Sequence, residues 1–147
     1  MRFAHLARAI VLSALAVGTT AACSSSKDDG DAGASGCVQV PSADCKPLVD
    51  PPTFDAIYTQ ILRPTCGSSP SCHATGSVMG GLSFASADKA HELLLDGRVL
   101  PGDASCSPLM ERIMSNDPAY RMPRGSTPLS DPETCAITKW IAAGAQR

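Results

Sequence analysis

The stretch Cys66-Gly-Ser-Ser-Pro-Ser-Cys72-His73-Ala-Thr-Gly76 decides how the rest of the chain is read. It places two thiols and an imidazole among small, turn-prone residues. Such a segment can close as a small disulfide loop, with a histidine beside it. It can equally present two sulfurs and a ring nitrogen to a bound group. The two readings imply different cores, so the flanking sequence has to be weighed.

Upstream, the chain opens on a basic start, Arg2 and Arg8, an apolar run Ala9 to Val17, and small residues up to Cys23. That is the layout of a secretory leader over residues 1–22. The run is too short to serve as a permanent membrane span. Thr20-Ala21-Ala22-Cys23 resembles a bacterial lipobox, with Thr20 where Leu is usual, and the resemblance implies a lipid on Cys23. The next stretch, Ser24 to Gly36, is polar and glycine-rich, a composition that cannot bury apolar area. A disordered tether behind an acylated cysteine is expected, with Cys-stapled extension to residue 50 and a domain over 51–147. Ser24 directly after Cys23 resembles outer-membrane lipoproteins, so a lipid-anchored, periplasm-facing or outer-membrane site in the cell envelope is expected.

Charge excludes more than it suggests. The chain has 12 basic and 14 acidic side chains, and loss of Arg2 and Arg8 leaves a mildly acidic molecule. There is no basic stripe of the kind that binds nucleic acid. Mild acidity serves solubility, and a monomer is expected.

Export puts the remaining six cysteines in an oxidising compartment. Cys37 and Cys45 are close enough to pair locally as a staple on the extension. Cys106 and Cys135 stand at the starts of two helices and can pair with each other. That leaves Cys66 and Cys72, and the even number does not decide whether they form a third disulfide.

Apolar spacing predicts four short helices. The first runs from Phe54 to Leu62, with Thr53 as cap, Phe54, Ile57, Tyr58, Ile61 and Leu62 inward, and Pro64 as its stop. The second runs from Ala87 to Leu95, capped by Ser86 and closed by Gly97. The third starts at Ser107-Pro108 and reaches Met114, burying Leu109, Met110 and Ile113. The fourth has Asp131 as cap, buries Ile137, Trp140 and Ile141, and stops near Ala143 before Gly144. No stretch alternates as a half-buried strand would. The expected fold is all-α, with long loops that require an organiser.

One loop carries a further ligand candidate. Pro118-Ala-Tyr-Arg-Met122-Pro-Arg-Gly125 holds a methionine outside any helix. Pro123 restricts the backbone of Met122, so the thioether is presented at low entropic expense. Thioether and imidazole together are a ligand pair that holds haem iron in electron-transfer proteins. Haem c attachment ordinarily reads C-x-x-C-H, whereas Cys66 and Cys72-His73 follow C-x5-C-H.

The order of parts resembles a small mono-haem cytochrome c domain of the planctomycete type. The matching pieces are Ile61-Leu62, Cys72-His73, Gly80-Gly81-Leu82, Pro101-Gly102-Asp103 with Ser107 and Leu109, Arg121-Met122-Pro123, and Trp140-Ile141 with Gly144-Ala145. The resemblance covers residues 54 to 145. The resemblance implies a cytochrome c-like bundle and a covalently bound haem c. It implies thioether bonds from Cys66 and Cys72, and His73 and Met122 as axial ligands to iron. It also implies helix packing near Phe54, Tyr58 and Trp140, and a haem pocket lined by Leu82, Leu109 and Ile113. One-electron exchange with redox partner proteins follows, rather than an enzyme activity of its own. The insert Gly67 to Ser71 would bulge outward and leave Cys72-His73 in register with the helix.

Against this stands a haem-free scaffold, in which Cys66 and Cys72 form a third staple. A zinc site is less supported, since Cys66, Cys72 and His73 lack a fourth ligand. His91 reads as a solvated helical histidine. Asp88, Glu92 and Asp96 read as an acidic face.

Overall fold

A computed structural model describes residues 37–74 and 79–147. The leader, Cys23 and the tether to residue 36 lie outside the described residues. Those from 37 onward fall in one compact unit.

The first helix begins where the sequence places it. Thr53 Oγ1 accepts the Ala56 N–H at 3.4 Å, and Phe54 and Ile57 turn inward at once. The helix then widens. After Phe54–Ile57 comes a π turn, Tyr58–Leu62, in which the Arg63 N–H donates to the carbonyl five residues back, Tyr58 O. A further α turn, Arg63–Cys66, follows directly. These three segments form one unbroken helix, α1. Pro64 therefore does not stop it, contrary to expectation. Proline lacks the N–H for the ladder, and its ring collides with the carbonyl four residues back. The wider i to i+5 turn just before it relieves both problems, and carries the helix on to Cys66.

Three more helices follow among the described residues: α2, Ala87–Leu95; α3, Pro108–Met114; and α4, Asp131–Ala142. No strand occurs among the described residues, only an isolated bridge between Leu100 and Asp103. The all-α class expected from sequence holds. The start of α4 differs by one residue. Ser130, not Asp131, is its cap, and Glu133 reaches back to the Ser130 N–H at 2.7 Å in a reciprocal capping box.

The core forms where α1 and α4 cross. The Phe54 and Trp140 rings lie 5.3 Å apart, and Tyr58 adds a third ring, 6.1 Å from Phe54. Ile57, Ile61, Leu62, Leu94, Met110, Ile137 and Ile141 are buried around them. His91 belongs to this packing and is not a solvated surface residue. Its ring meets Phe54 edge-on at 4.6 Å, and Nε2 donates to Ala145 O at 2.9 Å. The C-terminal residues fold over the same crossing, with Trp140 Nε1 donating to Gln146 O at 2.7 Å. Arg147 pairs there with Asp55 and Asp88. With Glu92 paired to Lys89 and Asp96 lying 3.9 Å from Arg98, the acidic face of α2 is largely neutralised within the molecule.

The disulfide pairing corrects the expectation most sharply. Cys37 pairs with Cys106, and Cys45 with Cys135, across 69 and 90 residues. Neither the local Cys37–Cys45 pairing nor the Cys106–Cys135 pairing forms. The reason is the path of the extension, which runs along the body instead of folding back on itself. Val38 N–H donates to Ser105 O, beside α3, and Leu48 N–H donates to Pro132 O, in the first turn of α4, each at 2.8 Å. Val38 and Val40 pack on the core and Val49 is buried in it. Residues 37–50 are thus part of the folded body, and the two bridges supply much of the organisation that the long loops require.

The Pro101-Gly102-Asp103 loop is ordered from within. Asp103 Oδ1 accepts the Ser105 hydroxyl at 2.8 Å and the Cys106 N–H at 3.1 Å. The backbone donor of Cys106, then the hydroxyl of Ser105, hold the Asp103 carboxyl below its ordinary value. Ser107 is fully buried, donates to Asp103 O and accepts from Leu100 N–H. Gly102 N–H ties the loop to Ile141 O in α4. The spacing of Asp103 and Ser107 is therefore a folding requirement.

Candidate functional site

The site begins at the last residue of α1. Cys66 O accepts the His73 N–H at 3.1 Å, so the chain returns to the helix end after the insert. Residues 67–71 make the excursion, with Cys72 N–H donating to Ser69 O at 2.9 Å. The insert bulges as expected. Cys72 and His73 are not in register with the helix, however, because α1 ends at Cys66 and they stand in a turn closed onto it.

His73 is fixed on three sides. Its carbonyl accepts the Phe84 N–H at 2.7 Å, and its ring stands edge-on to Phe84 at 6.0 Å. Nδ1 lies 3.1 Å from Leu82 O. A carbonyl oxygen only accepts, so Nδ1 carries the proton and the lone pair of the neutral ring sits on Nε2. That is the arrangement a ligating imidazole needs, with the second nitrogen orienting the ring. Phe84 is in turn fixed from α1, since Tyr58 OH donates to Phe84 O at 2.9 Å in the interior.

The Gly80-Gly81-Leu82 piece explains how Leu82 O reaches that place. Both glycines take left-handed backbone, φ 61° and 72°, which side-chain-bearing residues rarely adopt. Arg98 holds the resulting turn, Met79–Gly81, by donating to Gly80 O at 2.8 Å while also donating to Leu93 O in α2. Leu82 then turns into the core.

Gly67, the first residue of the insert, is a packing residue. A Cβ there would lie 2.9 Å from the Phe84 Cβ and 3.1 Å from Arg63 O. Gly67→Ala should therefore cost about 1 to 3 kcal/mol through overpacking. Urea unfolding of the two proteins measures it, and an equal midpoint would show that Phe84 does not pack against this turn. Nothing in the sequence pattern marked Gly67, Tyr58 or Phe84 as supports of His73.

Burial, with smaller contributions from the charges of Cys72 and Glu133, pushes the Cys66 thiol up to about 12, so it is neutral at physiological pH. Neither Cys66 nor Cys72 belongs to the two disulfides. Among the described residues no group of three or more His, Cys, Asp or Glu side chains is disposed to hold a metal ion.

Met122 arrives from the far end of α3. Its N–H donates to Arg112 O at 2.9 Å. The Arg112 guanidinium lies 3.9 Å over the Tyr120 ring and donates to Tyr120 O. Asp117 O accepts both the Tyr120 and Arg121 N–H groups. The Met122 loop is thus well held. The structure brings Cys66, Cys72 and His73 together, while no hydrogen bond among the described residues joins Met122 to them. Of the expected pocket residues, Leu82 and Ile113 are buried, and Leu109 packs against the core while only partly buried.

Residues 70–125 match the family model of planctomycete cytochrome C. The matched stretch holds Cys72, His73, Gly80-Gly81-Leu82, the Asp103 loop and Met122. It leaves out Cys66, α1 and α4. No curated protein and no solved structure matches. The match supports a cytochrome c-like domain over residues 70–125.

Proposed function

We propose, for a chain with a cytochrome c-like domain, that it is an electron carrier of the cell envelope, binding one haem c covalently. Cys66 and Cys72 would hold the haem through thioethers, His73 Nε2 would be one axial ligand, and the Met122 sulfur the other. The observation that carries this reading is the His73 Nδ1 contact to Leu82 O, which leaves Nε2 as the ring's acceptor. The donor set fits the group. Bound haem would supply one-electron oxidation and reduction at iron. The chain's residues would orient the imidazole and present a thioether on a braced loop, and the buried Leu82 and Phe84 beside His73 would favour the reduced state. Thioether formation is balanced by the thiols alone, since each S–H adds across a vinyl C=C. A lipid on Cys23 would keep the domain at the membrane, facing redox partner proteins.

A haem-free, disulfide-stapled scaffold is the second reading, and one observation favours it. The core closes over Phe54, Leu62, Phe84 and Met110, all nearly inaccessible, and two long-range bridges organise the loops. The need for an organiser therefore no longer argues for haem by itself.

An absorption spectrum and intact mass of the protein, produced in an exporting host with haem c maturation, separate the readings. A covalent haem mass and a sharp α band on reduction are expected. Colourless protein whose mass shows three disulfides, while a C-x-x-C-H control is coloured in the same host, would establish the scaffold instead.

A further inference from the structure

Separate parts of the chain meet at one cavity that the haem reading leaves unused. It has a volume of about 180 Å³ and is lined by Pro41 of the extension, Ile113 and Met114 at the end of α3, Arg121, and Leu129 and Asp131 around the cap of α4. The extension is held on both sides of Pro41, by the Val38 N–H bond to Ser105 O and by the Cys45–Cys135 bridge. A second cavity of about 590 Å³ adjoins the first, since Pro41, Met114 and Asp131 line both.

The smaller cavity carries two charges of opposite sign that do not satisfy each other. Arg121 Nε is buried without a hydrogen-bond partner. The Asp131 carboxylate forms no ion pair among the described residues, with Arg121 or with any other. A buried donor left without an acceptor is costly. An anion alone would be repelled by Asp131, and a cation alone by Arg121. A molecule bearing both charges on adjoining atoms meets both. We infer that this cavity binds a free α-amino acid with an apolar side chain. Its carboxylate is received by Arg121, whose planar fork of N–H groups matches that shape. Its ammonium is received by Asp131, and its side chain lies on Pro41, Ile113, Met114 and Leu129. Apolar walls with a few placed polar groups are the usual make-up of a small-molecule site. None of Cys66, Cys72, His73 and Met122 lines the cavity, so the inference stands apart from the haem reading.

Calorimetric titration of the full exported chain with leucine tests it, whether or not the protein carries haem. Two analogues divide the ligand: isoamylamine lacks the carboxylate, and isocaproate lacks the ammonium. Wild-type protein should bind each about 10- to 100-fold more weakly than leucine, the range of a charge-assisted hydrogen bond. Arg121→Gln should weaken leucine by a similar factor without weakening isoamylamine. Asp131→Asn should weaken leucine without weakening isocaproate. The analogue comparison on the wild type holds even if a variant fails to fold. A wild type that binds none of leucine, valine and methionine, or binds leucine no better than its analogues, would overturn the assignment. So would an Arg121→Gln variant that loses leucine and isoamylamine equally.

Discussion

Cys135→Ser should lower the stability of the domain by about 2 to 5 kcal/mol, the range seen on losing a native disulfide from a small secreted domain. The bridge to Cys45 closes a separation of 90 residues, and long closed loops restrict the unfolded chain most. Burial adds to the effect, because Cys135 is 1% exposed and its replacement leaves a hydroxyl in the core. At roughly 4 to 8 °C per kcal/mol for a domain near 100 residues, melting should fall by about 10 °C or more. Circular dichroism without reductant measures it. The pairing can be read from the same experiment. Cys45→Ser and Cys135→Ser break one bridge, so the double variant should lose little beyond either single one. Cys37→Ser breaks the other bridge and should add its own loss. Non-additivity between Cys37 and Cys45 instead would mean that the extension is stapled to itself and lies outside the body.

That contrast marks where sequence was legible. Helical spacing of Phe54, Ile57, Tyr58, Ile61 and Leu62 sets which face is buried, and all five are. Local chemistry marked Thr53, Ser86 and Gly97 as ends of helices, since caps act within one turn. The disulfides were not legible, because cysteine proximity in sequence says nothing about a segment that travels along a body. His91 was misread for a similar reason. Its partners come from two other parts of the chain, Phe54 from α1 and Trp140 with Ala145 from the C-terminal segment. Pro64 obeyed its usual rule only in part, because a π turn is not signalled by apolar spacing. At the site, His73 and Met122 could be singled out by residue type and neighbours. The Leu82 carbonyl that orients His73 is backbone, and no residue type announces it. Gly80 and Gly81 gave the nearest hint, since paired glycines mark a turn that side chains cannot make.

Met122→Ala should act differently on the two forms of the protein, which makes it the most informative change at the site. In the haem-free form Met122 is a half-buried side chain on a loop held by the backbone bond to Arg112 O. Truncation keeps that bond and removes part of an apolar contact. The stability loss should be about 1 kcal/mol, below the 2 to 5 kcal/mol of a fully buried methionine. On the proposed haem reading the same change would remove a sulfur ligand from the haem-bound form. Methionine ligation raises the reduction potential, so the potential should drop on the order of 100 mV, within the ~0.8 V that axial ligands span. Exogenous imidazole or cyanide should then bind without having to displace a protein ligand. Potentiometry and ligand titration of the haem-bound variant, beside urea unfolding of the haem-free one, test both halves. An unchanged potential would remove Met122 from the ligand set while leaving His73 in place. A large stability loss in the haem-free form would show that the thioether belongs to the core, and that the Arg121-Met122-Pro123 loop serves the fold before it serves a cofactor.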